Sequence, residues 1–366
     1  MKSVAIIGAG IAGAGVAYAL GDRANVTLIE AETQPGYHTT GRSAAFYVET
    51  YGGPDVQPLT TASKPFFDAP PAGFAAVPLL AARGGLHIAN EAALPALALL
   101  ETEFAGSGVA MKRLSAAGIS VIAPQLRPEW QAGAIWEADC CDIDVASLHQ
   151  GFVSGARRAG TTLLTHARVT GLRRENTRWL VITTAGEIRA DVVVNAAGAW
   201  GDKVAALADV APLGLQPMRR TVVVVDVDPA PARNLPLVVA ADGSFYFKPD
   251  AGRLWVSPHD ETPAPPSDCQ PEAYDIALAI DRLERATTLN IRRVERAWAG
   301  LRTFTPSRLP AFGYAPDALG FFWCVGQGGF GIQTAPAAAK LAAALIFGDA
   351  HGLPDVDAAR YAPQPR

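Results

Sequence analysis

Cysteine is scarce in this 366-residue sequence: there are four, at positions 140, 141, 269 and 324, with no C-x-x-C pair and no zinc spacing. Cys140 and Cys141 are adjacent and too strained for an easy disulfide. A disulfide scaffold is therefore not expected, and the thiols read as buried groups of a reducing, cytoplasmic compartment. A peripheral place at the inner face of the membrane stays open. There is no block of like charge and no basic tract, and the net charge is −4, which argues against nucleic acid as a partner. No stretch reaches ~18 uninterrupted apolar residues, so no integral membrane segment is expected. The richest late candidate, 334–347, contains Lys340 and reads as a soluble helix. His38, His87, His149, His166, His259 and His351 are scattered without ligand spacing. They are expected to be surface or structural groups, with no metal site. No repeat is found.

What is present is ample core material: 49% of residues are apolar and 18% charged. At about 150 residues per domain the length fits two domains. The opening MKSVAIIGAGIAGAGVAYAL resembles a secretory leader, but its glycines are phased and strand-like polar sequence follows. Ser3–Ile7 reads as a buried parallel strand, Gly8, Gly10 and Gly13 give G-x-G-x-x-G, and Ala14–Leu20 continues as helix. A second strand, NVTLIE, ends at Glu30, twenty residues after Gly10. Gly8 allows the tight turn, Gly10 lets backbone approach a pyrophosphate, and Gly13 lets helix pack on strand. The helix N-terminus attracts phosphates, and Glu30 accepts from ribose hydroxyls. Nucleotide-like features return far downstream, as a buried strand Asp191–Asn195 with the small-residue turn AAGAW, and as strand, glycine loop and helix over 321–347. Three separated pieces meeting on one elongated ligand suit FAD better than NAD.

Those pieces, together with GYHTTGRSAAFYVETYG (36–52), SLHQGF, VVNAAGAW, PLGLQPMRR, SFYFKPDAG, WAGLR and QGGFGIQT, resemble the flavoprotein family of D-amino acid oxidase, glycine oxidase and sarcosine oxidase. Within it the D-arginine dehydrogenase branch is most similar. The resemblance implies an α/β fold, in which a Rossmann-type FAD-binding domain is interleaved with an α+β substrate domain built on an antiparallel sheet. Segments 1–80, 145–215 and 295–366 are expected in the first, and 81–144 and 216–294 in the second. The reaction it implies is oxidation of a D-amino acid to an imino acid, by hydride transfer from the α-carbon to flavin N5. FAD is expected to be non-covalent, since covalent relatives carry a cysteine where Thr303–Phe322 has none.

By the same resemblance the cofactor set comprises Gly8, Gly10, Ile11, Ala12 and Gly13, Glu30 and Ala31, and the loop Thr39, Thr40, Gly41, Arg42, Ser43, Ala44 and Ala45. Val169, the turn Ala196, Ala197, Gly198 and Trp200, and the loop Gly328, Gly329, Phe330, Gly331, Ile332, Gln333 and Thr334 complete it. In this reading Arg42 and Ser43 donate to the cofactor, although a structural arginine bridging two loops fits Arg42 too. The substrate set is Arg302 and Tyr246 on the carboxylate, Arg220 pointing inward, Tyr51 as a lid, with Gly329 and Gln333 beside them. A planar guanidinium holds a carboxylate through two parallel hydrogen bonds. The plainer alternatives are a solvated strand end for Arg302, a sheet aromatic for Tyr246 and surface charges for Arg219–Arg220.

Two positions depart from the D-arginine dehydrogenase pattern: Gly85 stands for a glutamate and Phe46 for a histidine. A buried cationic side chain would then lack its partner, so a neutral or apolar substrate side chain is expected, with D-arginine poor. The competing expectation is that His87 or Glu49 re-supplies polarity from another direction. Oxidases similar to sarcosine oxidase use a lysine near flavin N5 to activate oxygen; the comparable strand RLWVSPHDE offers none, with His259 as a partial substitute, so the resemblance implies a dehydrogenase with a quinone or carrier protein as acceptor. Competing readings are a flavoprotein for glycine, sarcosine, proline, a 2-hydroxy acid or glycerol phosphate, and a non-catalytic flavin-binding redox sensor.

Overall fold

The computed structural model describes residues 1–365. Lys2–Ile7 is the centre of a six-stranded sheet ordered Ala311–Tyr314, Phe321–Val325, Val192–Asn195, Lys2–Ile7, Ala24–Ile29, Thr162–Leu164. All neighbours are parallel except the first pair. Val192–Asn195 and Phe321–Val325 are buried throughout, which is why they read as unbroken apolar runs. Alternation along Lys2–Ile7 feeds two layers. Val4 and Ile6 join a core shared with helices Ile11–Leu20 and Ala335–Phe347, and Ala5 and Ile7 join a core with Trp179. Trp179 belongs to a three-stranded meander, Val169–Glu175, Arg178–Thr183 and Gly186–Ala190. The two helices approach closely because small residues meet: a Cβ on Gly15 would lie 3.2 Å from Ala339 Cβ.

The second large sheet runs Gln327–Gly328, Asn290–Phe304, Gln216–Asp228, Arg253–Ser257, Tyr246–Asp250, Leu237–Ala240, Gly85–Ala89, Gly133–Glu137, Met111–Leu114, with Thr262–Pro263 on the side. It is antiparallel but for one pair, Leu237–Ala240 with Gly85–Ala89. That pair brings together segments far apart in sequence, as a parallel pairing requires. Helix Ala273–Ala286 covers one face through Ala279, Leu283 and Ala286. The boundary expected at 294–295 falls inside Asn290–Phe304. This strand pairs with Gln216–Asp228 along its length, so one continuous element runs from the exposed end of the sheet to its buried end. A small sheet of Phe46–Tyr47, Cys141–Ile143 and Leu80–Ala82 links the two parts. Among the described residues no helix is long and apolar enough to cross a membrane.

Candidate active site

The turn after Lys2–Ile7 is tightly constrained. Gly8 has φ +101°, and a Cβ there would stand 2.5 Å from Ala196 O. A Cβ on Gly13 would stand 1.9 Å from Gly8 O, so strand and helix touch through bare backbone. Gly10 is different: its Cβ would meet only Thr40 Oγ1, at 3.2 Å, and so its surroundings are open. Thr40 Oγ1 accepts from Ile11 N at 3.0 Å. At the end of Ala24–Ile29, buried Glu30 accepts from Ala9 N at 2.9 Å and from Glu32 N at 3.0 Å, which pins the glycine turn.

A cavity of about 990 Å³ starts at this turn and continues between the two large sheets. Every residue assigned to the cofactor by resemblance borders it except Gly13, Gly41, Phe330 and Thr334. Those four pack instead. Gly13 seats helix on strand, and Gly41 lies where a Cβ would be 2.8 Å from Gly36 O. Phe330 joins Val56 and Phe304 in an apolar cluster, and Thr334 Oγ1 donates to Phe330 O at 2.9 Å. Arg42 borders the cavity, but its guanidinium is engaged elsewhere. It donates to Cys269 O (2.7 Å), Ala299 O (3.2 Å) and the Asp268 carboxylate. These bonds tie the 39–43 loop to Asp268–Cys269 and to strand Asn290–Phe304, as the structural alternative for Arg42 expects. The cradle fits FAD, with a glycine turn at a helix N-terminus, an acidic strand end, and the small residues Ser43–Ala45 and Ala196–Gly198 along the walls.

The far end is polar on one wall. Arg302, Gly300, Arg220, Val222, Ser257, Tyr246, Val239 and His87 share one face of the second sheet by strand register. Tyr51 covers Arg302, with the guanidinium carbon 5.5 Å from its ring. Buried Nη1 atoms of both Arg302 and Arg220 have no protein partner. Arg220 otherwise donates to Asp260 O (2.6 Å) and Glu261 Oε1 (3.3 Å). Burial, then repulsion from Arg302, pushes Arg220 down to about 10, so it stays charged at neutral pH. Two adjacent buried cations with idle donors favour an anionic or polar ligand beside them. Burial and the same two arginines push His259 down to about 3, which leaves it neutral with Nδ1 bonded to Gly243 O at 2.5 Å. Alternation sends Arg219 to the opposite face, where Asp275 and Glu272 bind it. Neither of the pair is a surface charge.

Three expectations change at this end. Gln333 does not reach out to substrate: its amide is fully occupied by Val48 N (3.1 Å), Tyr51 O (3.1 Å) and Thr60 Oγ1 (3.0 Å). It acts by holding the segment that carries Tyr51. Gly85 does not border the cavity; a Cβ there would face Cys140 Cβ at 3.3 Å and Glu137 Cβ at 3.7 Å. A carboxylate is nevertheless present one strand over, since Glu137 pairs with Gly85. Only 1% exposed, Glu137 accepts from His87 Nε2 (3.1 Å), Thr50 Oγ1 (2.7 Å) and Glu49 N (2.7 Å). Burial would raise its pKa, but these hydrogen bonds outweigh burial and hold it low. The Glu49 carboxylate turns away to Thr61.

His87 and His259 border the cavity, which the scattered spacing of histidines did not disclose. The usable signal was parity: His87 alternates with Gly85 in a strand. Phe46 borders the cavity edge-on to Tyr246, ring centroids 6.1 Å apart. Lys248 lies beneath it, 4.9 Å from its ring and bonded to Asp142 at 3.0 Å, without bordering the cavity.

Comparison with known proteins agrees with this geometry. Residues 3–345 match the family model described as FAD dependent oxidoreductase. A glycine oxidase of Geobacillus kaustophilus is 27% identical over 366 residues, 94% of this chain and 92% of that one. Mitochondrial dimethylglycine dehydrogenase of Mus musculus is 28% identical over 240 residues, 59% of this chain and 27% of that longer one. The crystal structure of the Geobacillus kaustophilus glycine oxidase superposes with a TM-score of 0.86 at 22% identity, over 100% of both chains. The fold is that of these flavoproteins, a Rossmann-type FAD-binding part with a substrate part.

Proposed function

The chain belongs to the FAD dependent oxidoreductase family, and from that premise we propose that it oxidises the α-carbon–nitrogen bond of a D-amino acid with a neutral side chain to an imino acid. The observation that carries this is that Arg302 and Arg220 both border the cavity that starts at the glycine turn, each with a buried Nη1 that no protein group accepts from. An α-amino acid is what the named relatives glycine oxidase and dimethylglycine dehydrogenase share as substrate class. FAD, held non-covalently by the Gly8–Gly10 turn, Glu30, Thr40 and the 43–45 and 196–198 walls, supplies the hydride acceptor when bound.

The protein's own residues bind and orient the substrate. Arg302 and Tyr246 take its carboxylate, Arg220 adds charge, and Tyr51 closes over it. The same guanidiniums disfavour an ammonium beside them, so the amine is held with its lone pair free. Neutral His259 contributes an acceptor without adding charge. Phe46, Val48, Leu237 and Val239 give the side-chain part of the cavity apolar surface. No lysine stands at this end of the cavity, so the acceptor is a quinone or carrier protein rather than oxygen.

Anaerobic titration of the purified yellow protein with D- and L-amino acids, glycerol phosphate and 2-hydroxy acids tests this. Bleaching of the flavin by D-amino acids is expected. Bleaching by none of them, or by hydroxy acids alone, overturns the reading. Hydrogen peroxide formed as fast as a dye is reduced would overturn the choice of acceptor.

A further inference from the structure

We infer that His87, held from behind by Glu137, selects the substrate side chain, and that it selects a neutral one carrying a hydrogen-bond donor, a hydroxyl or short amide. This deepens the amino acid reading and rests on it. His87 pairs with Val239 and Val239 with Tyr246, so the three side chains form one row on the cavity face. Two strand spacings put about 10 Å between the backbones that carry Tyr246 and His87, so a substrate whose carboxylate is held at the Tyr246 end extends a short side chain along Val239 toward the His87 ring. Val48, Leu237 and Val239 flank the interval with apolar surface.

Polarity at the far end is fixed by the Glu137 carboxylate. It can only accept, so Nε2 carries the proton between the two, and in that tautomer of the ring Nδ1 offers its lone pair to a donor. Among the described residues the bond to Glu137 is the ring's one hydrogen bond. An apolar substrate side chain would therefore strand an acceptor that water had satisfied, and a donor would satisfy it. Glu137 also bonds Glu49 N and Thr50 Oγ1, just ahead of Tyr51. One buried carboxylate thus positions both the selecting ring and the lid.

Isosteric substrate pairs, D-threonine against D-valine and D-serine against D-2-aminobutyrate, test this by anaerobic stopped-flow reduction of the bound flavin. The hydroxyl member of each pair is expected to be favoured about tenfold in second-order rate constant. His87→Phe should bring both ratios to about one, with retained flavin absorbance as the fold control. Equal rates within the wild-type pairs overturn the inference, as does a ratio that persists in His87→Phe. The wild-type pairs decide alone if the variant loses flavin. If only the L-enantiomers react, and discriminate as stated, the D-configuration falls and the selection by His87 stands. If no amino acid reduces the flavin, both fall.

Discussion

Gly329 and Arg302 occupy adjoining space that admits no added carbon: a Cβ on Gly329 would lie 2.5 Å from Arg302 Cζ and 1.9 Å from Tyr51 Oη. The glycine loop is therefore what gives the guanidinium its place under the tyrosine. Gly329→Ala must push both side chains away from the carboxylate position, while the cofactor cradle at Gly8–Gly10 is untouched. Substrate Kd for flavin reduction should rise tenfold or more with FAD content unchanged. Unaltered Kd would show that the loop has slack.

The glycines of the first turn should separate folding from cofactor binding. Valine at Gly13 would collide with Gly8 O, so Gly13→Val is expected to yield little folded protein. A Cβ at Gly10 meets only Thr40 Oγ1, at 3.2 Å. Gly10→Val should give a folded, colourless protein, checked by circular dichroism and visible absorbance. A yellow Gly10→Val would contradict the placement of the cofactor.

Arg42 is a brace between the 39–43 loop and the 268–299 region, so Arg42→Met should act on stability. It leaves Cys269 O, Ala299 O and Asp268 without their donor, at a cost of about 2 kcal/mol. A lower Tm with FAD still bound is expected. Loss of FAD at unchanged Tm would favour the phosphate role.

His259 sets a pH dependence. Its folded pKa of about 3 lies below the ordinary value near 6.5, so between these pH values the unfolded chain binds a proton that the folded chain refuses. Stability should therefore fall as pH drops below 6.5, by at most about 1.4 kcal/mol per pH unit from this group. His259→Gln should flatten that slope in denaturant titrations at pH 4 to 7. A slope equal to wild type would assign the acid sensitivity to other groups.

Local pattern disclosed the glycine turn and Glu30, because a βαβ unit writes its phosphate site within thirty residues of chain. Arg220 and Arg302 were legible through their motifs. Register was not legible. Gly85 meets Glu137 and Leu237 across strands about 50 and 150 residues away, and no local signal sets that pairing. The acceptors of Arg42 were hidden for the same reason, since they lie more than 220 residues downstream.

Register also removes position 85 from the reason for expecting D-arginine to be poor. A glutamate at position 85 would not restore a partner for D-arginine, because the Cβ there faces Cys140 and Glu137 rather than the cavity. Gly85→Glu would bury a second carboxylate against one that is already 1% exposed and hydrogen-bonded on both oxygens. Like charges at that spacing cannot both stay ionised without a cation, so one must take up a proton or the strands must part. Arg83 and Lys248 are already bound to Asp142. The variant should therefore lose several kcal/mol of stability, most of it at high pH where both carboxyls ionise, and should recover partly on acidification. D-arginine should remain a poor substrate for wild type and variant alike, measured as kcat/KM beside D-threonine. A Gly85→Glu protein as stable as wild type at pH 8, and newly active on D-arginine, would mean that position 85 reaches the cavity after all.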